Sequence, residues 1–406
     1  MCSPYRNLRH GGFRLLTVMK GAHDRDLRFQ FKEAVPSLTQ QYTAISYTWG
    51  NDAQTETIHV DGHPLRIKPN LWACLYTLRR YYWQYIWADA ICINQDDVTE
   101  KNQQVRMMDQ IYRNATVVSV WLGLVPLPDW LNVSGPIVTL EIDDFDWAES
   151  MEDLANRPYW TRSWTIQEYM LAREIHVYCS NSRVEGPFFQ ELLARAAGID
   201  LLSIKDDGLA AQSDLIRKWP ALPINFGRHV DRMPELYQPL YDLLIRHGNA
   251  QSKDPRDKVF ALLGLVPREE QFFLLKSFPD YSLSMEQVNA VTLSHLQFFA
   301  VGQPLEPIFR ALRIHEGRDR RRLLQILGRM DYIGADDPAS EVAFISAYLF
   351  PHMNEDPEAA VEEYVLDGAV TYDVAQGRNI SGIMKCVGGA VVGIPLLCVV
   401  AIRLWR

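Results

Sequence analysis

The sequence predicts an α/β protein: a doubly wound parallel sheet over residues 41–185, followed by a mostly helical region over 186–350. Short runs of apolar, β-branched and aromatic residues at 42–49, 85–93, 117–123 and 174–179 read as strands. Between them apolar residues recur at helical spacing. Strand and helix therefore alternate. Successive right-handed crossovers place such strands parallel in one sheet, with ligand positions at the strands' carboxyl ends.

Residues 1–40 form an N-terminal extension ahead of this pattern. YTAISYTW (42–49) is closed by the turn residues Gly50, Asn51 and Asp52. TIHV and PLRI flank Asp61-Gly62, which suggests a hairpin insertion. From Asn70 the period changes: Leu71, Leu75 and Leu78 mark a helix, with Asn70 placed to cap its first turn. YIWADAICI (85–93) is almost continuously apolar, as expected of a strand buried on both faces, and 94–97 ends it. Val105, Met108 and Tyr112 mark another amphipathic helix, and VVSVWLG (117–123) a further strand stopped by glycine. A connection with Pro126, Pro128 and the acidic 143–146 leads to a helix over about 161–172 and the strand EIHVYC (174–179). Beyond 185, stretches such as ELLARAAG, LYDLLIRHG and KVFALLGLV are helical in pattern. An acidic linker (351–382) and a hydrophobic tail (383–406) complete the chain. No internal repeat stands out.

Bulk properties narrow the function classes. Of 406 residues, 48% are hydrophobic and 22% charged, the balance of a folded globular chain. A net charge of −9 and a pI near 5.6 argue against nucleic acid as a partner, because phosphate binding needs clustered cations. The basic run 318–321 is short and reads as a solvated helix end. The six cysteines show neither metal-ligand spacing nor the density of a disulfide scaffold, so a reducing, cytoplasmic compartment is expected and no metal. His59 and His63 on the hairpin read as a solvated pair. The uncharged stretch 386–402, between Lys385 and Arg403, reads equally as a short membrane helix, giving a membrane-anchored protein, or as a buried strand pair turned at 393–395. The sequence has no glycine-rich dinucleotide fingerprint after the first strand, no phosphate loop and no nucleophile elbow.

Two positions stand out chemically. Trp164 and Glu168 are four apart in a helical segment and so share one face, where an indole wall and a carboxylate can line one pocket. Packing of the tryptophan, and an exposed carboxylate or one paired with Arg162 or Arg173, explain the same spacing. Asp89 interrupts an apolar run, where a carboxylate must be paired or hydrogen-bonded; holding the 94–95 loop is the favoured role. Trp49-Gly50 offers close backbone approach to a ligand or a plain turn.

Five ordered blocks make a more specific statement: YTAISYTWG, NLWACLYTLR, IWADAICINQDD, EKNQQVRMMDQIYRNATVVSVWLG and RPYWTRSWTIQEYMLAREI. In order and spacing they resemble the heterokaryon-incompatibility (HET) domain of filamentous fungi. DPRDKVFALLGL (254–265) and PDYSLSMEQV (279–288) look like segments that follow that domain, so the resemblance reaches about residue 290. The acidic stretch and tail do not resemble the glycine-rich end of longer family members. HET domains are similar in turn to Toll/interleukin-receptor (TIR) domains, which implies a TIR-like, flavodoxin-like sheet. Ser46-Tyr47 looks like the Ser-aromatic pair closing the first TIR strand, and Trp164 with Glu168 like the TIR Trp-x-x-x-Glu signature. The resemblance implies Glu168 as the catalytic residue of an NAD glycohydrolase, with Ser46, Tyr47, Trp49, Gly50, Asp89 and Trp164 lining the cleft. NAD is then a substrate, and no cofactor is called for. It also implies non-self recognition and programmed cell death, self-association and an upstream recognition protein, with a non-enzymatic assembly module as the alternative.

Overall fold

The computed structural model describes residues 3–19, 26–50, 53–79, 85–126, 145–199, 219–225, 238–300 and 302–315, with 317, 320, 321 and 323. The acidic linker, the tail and residues 318–319 of the basic run lie outside them. The chain divides into two compact units, residues 1–237 with 249–253 and residues 238–248 with 254–406.

The first unit is built on nine strands: β1 (Phe13–Val18), β2 (Arg28–Ala34), β3 (Thr43–Tyr47), β4 (Glu56–Val60), β5 (His63–Ile67), β6 (Ile86–Trp87), β7 (Val117–Trp121), β8 (Ile175–Cys179) and β9 (Ser182–Glu185). They form one sheet in the order β5-β4-β2-β1-β6-β3-β7-β8-β9. At its heart β6, β3, β7 and β8 run parallel, with Ala44 level with Trp87 on one side and Val118 on the other. β3 and β8 are buried at every residue, which explains their mostly apolar character. From β3 the chain passes first to β6 on one side and then to β7 on the other, so the strand order reverses at β3.

The sheet is mixed rather than wholly parallel. The expected N-terminal extension contributes β1 and β2, which pair antiparallel from Phe13–Ala34 to Val18–Phe29, and β1 lies antiparallel to β6 at Leu16–Ile86. Only alternate residues of β2 are apolar, so this flank carried the weaker signal of a partly exposed sheet. β4 and β5 form the expected hairpin, with Asp61 (φ 49°) and Gly62 (φ 79°) both left-handed, as a two-residue loop matched to strand twist requires.

Helices α1 (Pro69–Leu78), α2 (Asp89–Cys92), α3 (Val98–Arg106), α4 (Met108–Asn114), α5 (Phe145–Ala155), α6 (Ser163–Met170) and α7 (Gly186–Ala196) fill the connections. Three local expectations need correction. Asn70 does not cap α1: Pro69 takes the first helical position, with its φ already suited to it, and Lys68 is the flanking residue. The apolar run 85–93 is not one strand. It yields β6 of two residues and then turns into α2 at Asp89, whose Oδ1 accepts from Ala90 N at 2.7 Å. The helix expected around 105–112 is two, α3 and α4, joined at Met107.

In the second unit the named elements are helical: Leu240–His247, Asp257–Phe260, Arg268–Ser277, Met285–Phe299 and Glu306–Ala311, with a short 3-10 turn at Leu263–Leu265. Two sequence blocks meet here. Arg256 pairs with Asp254 at 2.6 Å and donates to the carbonyls of Tyr281 (2.8 Å) and Leu283 (2.6 Å), while Tyr281 donates to Asp257 at 2.6 Å. Ser284 and Gln287 then cap the longest helix reciprocally. No helix among the described residues is long and apolar enough to cross a membrane.

Candidate active site at the carboxyl end of the central strand

The last two residues of β3, Ser46 and Tyr47, are 0% and 2% exposed. They stand where the strand order reverses, the position at which open α/β sheets gather ligands. α6 brings Glu168 to the same point. Its carboxylate, 1% exposed, accepts hydrogen bonds from the Ser46 hydroxyl and from Tyr112 of α4. Ser46 has a single hydrogen, committed to Glu168, so the Tyr159 hydroxyl 2.6 Å away is the donor to Ser46. A relay Tyr159–Ser46–Glu168 results, closed by elements far apart in the chain.

A second carboxylate stands on the neighbouring strand's extension. Asp89, two residues beyond β6, accepts from Trp49 Nε1 at 2.9 Å and from Tyr47. The 94–95 loop is held differently from the expected way. Gln95 reaches the Asp89 main-chain carbonyl (3.0 Å), and Glu100 accepts from Asn94 N (2.7 Å) while pairing with buried Arg14 (2.5 Å). The Asp89 carboxylate is thereby left for the site.

Arg162, half-buried at the start of α6, donates to the Tyr47 carbonyl. Its main chain is fixed by a strand-like bridge to Gln251, with Ser163 N to Gln251 O at 2.9 Å and Gln251 N to Thr161 O at 2.5 Å. Burial pushes the Glu168 carboxyl up to about 7, the Asp89 charge adds to this, and Arg162 with the hydrogen bonds from Ser46 and Tyr112 opposes it. Asp89 is raised by burial, again against Arg162. Tyr47, Tyr112 and Tyr159 are raised well above the ordinary phenol range by burial and stay neutral donors.

The remaining sequence candidates are more peripheral. Trp164 is half-buried, one turn before Glu168 on α6. Gly50 adopts φ 67° and its carbonyl accepts from Lys68 at 2.5 Å, while Asn70 donates to the Thr48 carbonyl at 2.7 Å, so the Trp49-Gly50 turn is strapped to the start of α1. Sequence reading missed Tyr112 and Tyr159, whose aromatic rings read as core, and weighed Arg162 only as an ion-pair partner. On the hairpin, His59 Nδ1 lies 3.2 Å from Asp26. Among the described residues one cluster has metal-ligand character, Glu174, His176 and Glu185 at the β8–β9 edge, where His176 Nε2 lies 2.8 Å from Glu174 and 3.3 Å from Glu185.

A buried acid braced by hydroxyls, interacting with a second acid and a guanidinium, can stabilise positive charge developing on a bound sugar or hold its hydroxyl groups. Residues 42–126 match the family model described as heterokaryon incompatibility protein (HET). The chain is 28% identical to heterokaryon incompatibility protein 6, OR allele, of Neurospora crassa, over 60% of this chain and 45% of that relative. The chain thus spans under half the length of the curated relative it matches. No solved structure matches the chain. The segment that matches the heterokaryon incompatibility (HET) family model, 42–126, holds Ser46, Tyr47, Asp89 and Tyr112.

Proposed function

We propose that this chain is a heterokaryon-incompatibility effector of fungal non-self recognition and programmed cell death, and that its centre hydrolyses NAD. The observation that carries the reading is Glu168, a buried carboxylate braced by Ser46 and Tyr112 at the reversal point of a parallel sheet. We read the four parallel strands as a TIR-like, doubly wound core, supported by the reversal of strand order at β3.

In this reaction the C1′–N bond of the nicotinamide ribose breaks, and its electron pair passes to the ring nitrogen, which leaves neutral. Glu168 stabilises the oxocarbenium-like sugar, water adds to C1′, and the water's proton is released. Asp89 and Trp49 form the outer wall of the site, with Trp164 on the helix that carries the acid. Since Glu168 is 1% exposed, productive binding has to displace part of what covers it. Activation by self-association, triggered by an upstream recognition protein in the cytoplasm, would supply that step. The tail 383–406 would add membrane contact.

The test is nicotinamide release from NAD by the purified chain, alone and under conditions that drive self-association, against E168Q. Equal release by both, or none in any assembled state, would reject hydrolysis. The same enclosure favours one second reading, a non-enzymatic assembly module in which the buried acid is a structural lock. Cell death and self-association that survive in a variant devoid of NAD hydrolysis would select it.

A further inference from the structure

Arg162 has a place in this centre that neither its sequence context nor the hydrolytic reading assigns. It is fixed from two directions. Its guanidinium donates to the main-chain carbonyl of Tyr47, the last residue of β3, and its own backbone is bridged to Gln251. A long cationic side chain held at both ends loses little further entropy when it serves a ligand or an acid. The strand end it is pinned to also holds the two carboxylates: Ser46 donates to Glu168 on α6, and the Tyr47 side chain donates to Asp89 at the head of α2. The other titratable groups that interact with them are the phenols of Tyr47, Tyr112 and Tyr159 and the thiol of Cys92, all buried and neutral. Hence Arg162 is the cation acting on both acids.

We propose that Arg162 is the positioning residue of the centre: pinned to β3, it supplies the shared counter-charge that holds Glu168 and Asp89 in place as a pair. Two carboxylates in one enclosed site repel each other unless a cation stands between them. Rigid attachment to the strand end keeps that cation at a set position while the cover over Glu168 changes. The proposal rests on the hydrolytic reading only for its catalytic consequence; the coupling itself is a property of the fold.

The experiment is a double-mutant cycle on the full chain, with R162Q, E168Q and the double variant, reading the unfolding equilibrium by urea titration at pH 5 and pH 8. At pH 8, with Glu168 ionised, R162Q is expected to lower the folding equilibrium constant at least about tenfold more in the Glu168 background than in the E168Q background. At pH 5, with Glu168 protonated, the two effects converge. R162K keeps the charge and is expected to recover part of the coupling; if R162Q does not fold, R162M takes its place as the charge-removing variant in the cycle. Equal effects of the Arg162 substitution in both backgrounds at pH 8, or a coupling unchanged between pH 5 and pH 8, overturn the proposal. Because this readout needs no substrate, absence of NAD hydrolysis would count against the function without touching the coupling. Where hydrolysis is present, R162Q should move the pH profile of kcat upward more than it changes KM.

Discussion

Replacing Glu168 by glutamine should change the pH dependence of stability in a window set by the burial of that one group. In the folded protein the carboxyl holds its proton up to about 7, against an ordinary value of 4.5, chiefly because burial penalises the charged form. The folded chain therefore binds more protons than the unfolded chain between those two values, and stability falls as pH rises through the window. Below 4.5 both states are protonated and the group contributes no difference. Above 7 both are ionised and the full penalty is present. At 1.36 kcal/mol per unit, the displacement corresponds to about 3 kcal/mol. The E168Q side chain keeps the size of glutamic acid and cannot titrate. The difference in unfolding free energy, E168Q minus the unsubstituted chain, should therefore grow by about 3 kcal/mol between pH 4.5 and pH 7.5. Taking the difference cancels groups common to both chains, and the portion shared with Asp89 appears as a broader transition. The assay is urea unfolding followed by indole fluorescence, which reports the first unit because every tryptophan except Trp405 precedes residue 238. A difference that stays flat across the window, or that grows as pH falls, would refute the assignment of Glu168 as a buried acid kept near neutrality.

Three further outcomes follow from the same geometry. Ser46→Ala removes the donor to Glu168 and the acceptor of Tyr159, and should cost about 1–3 kcal/mol in chemical denaturation at pH 8, where the carboxylate is charged. In the second unit, burial depresses His247 from 6.5 to about 3, and Arg246 adds to the shift. Stability of that unit should fall as pH drops below 6.5, because only the unfolded chain then takes up the proton; His247→Phe should flatten this acid loss, as read by hydrogen exchange across Leu240–His247. Arg256→Ala strips the carbonyls of Tyr281 and Leu283 of their donor and leaves Asp254 without that cation, and should cost about 2–4 kcal/mol, seen as earlier thermal loss of protection over Met285–Phe299.

Much of the central sheet was legible in the chain itself. β3, β7 and β8 are enclosed by neighbours on both sides, and enclosure writes a mostly apolar run that survives translation into sequence. The same rule misled at 85–93. There the apolar run belongs half to a two-residue strand and half to a buried helical turn, and periodicity cannot separate the two in so short a span. The flank formed by β1 and β2 was illegible for another reason, since β2 is partly exposed and the partner of β1 on its other side, β6, is distant in sequence. Within the centre, Glu168 and Ser46 were found because their spacing matched a known pattern, and the structure brings them into contact. Tyr112 and Tyr159 gave no signal, because a tyrosine whose hydroxyl serves a carboxylate is spelled like one that fills a core. Arg162 was visible only as a charge near an acid; its attachment to Tyr47 depends on contacts 115 residues away.

The bridge between Arg162 and Gln251 bears on how this protein can be dissected. Similarity to the family model ends at residue 126, which severs the acid at 89 and the serine at 46 from their partners at 159, 162 and 168. A fragment cut at 185 restores those partners and still forfeits the segment that fastens the guanidinium's backbone, since residues 249–253 belong to the first unit although 238–248 do not. The first unit is accordingly discontinuous in sequence. An expression fragment intended to carry the chemistry has to run past residue 253, or be circularly rewired to return that segment to its slot.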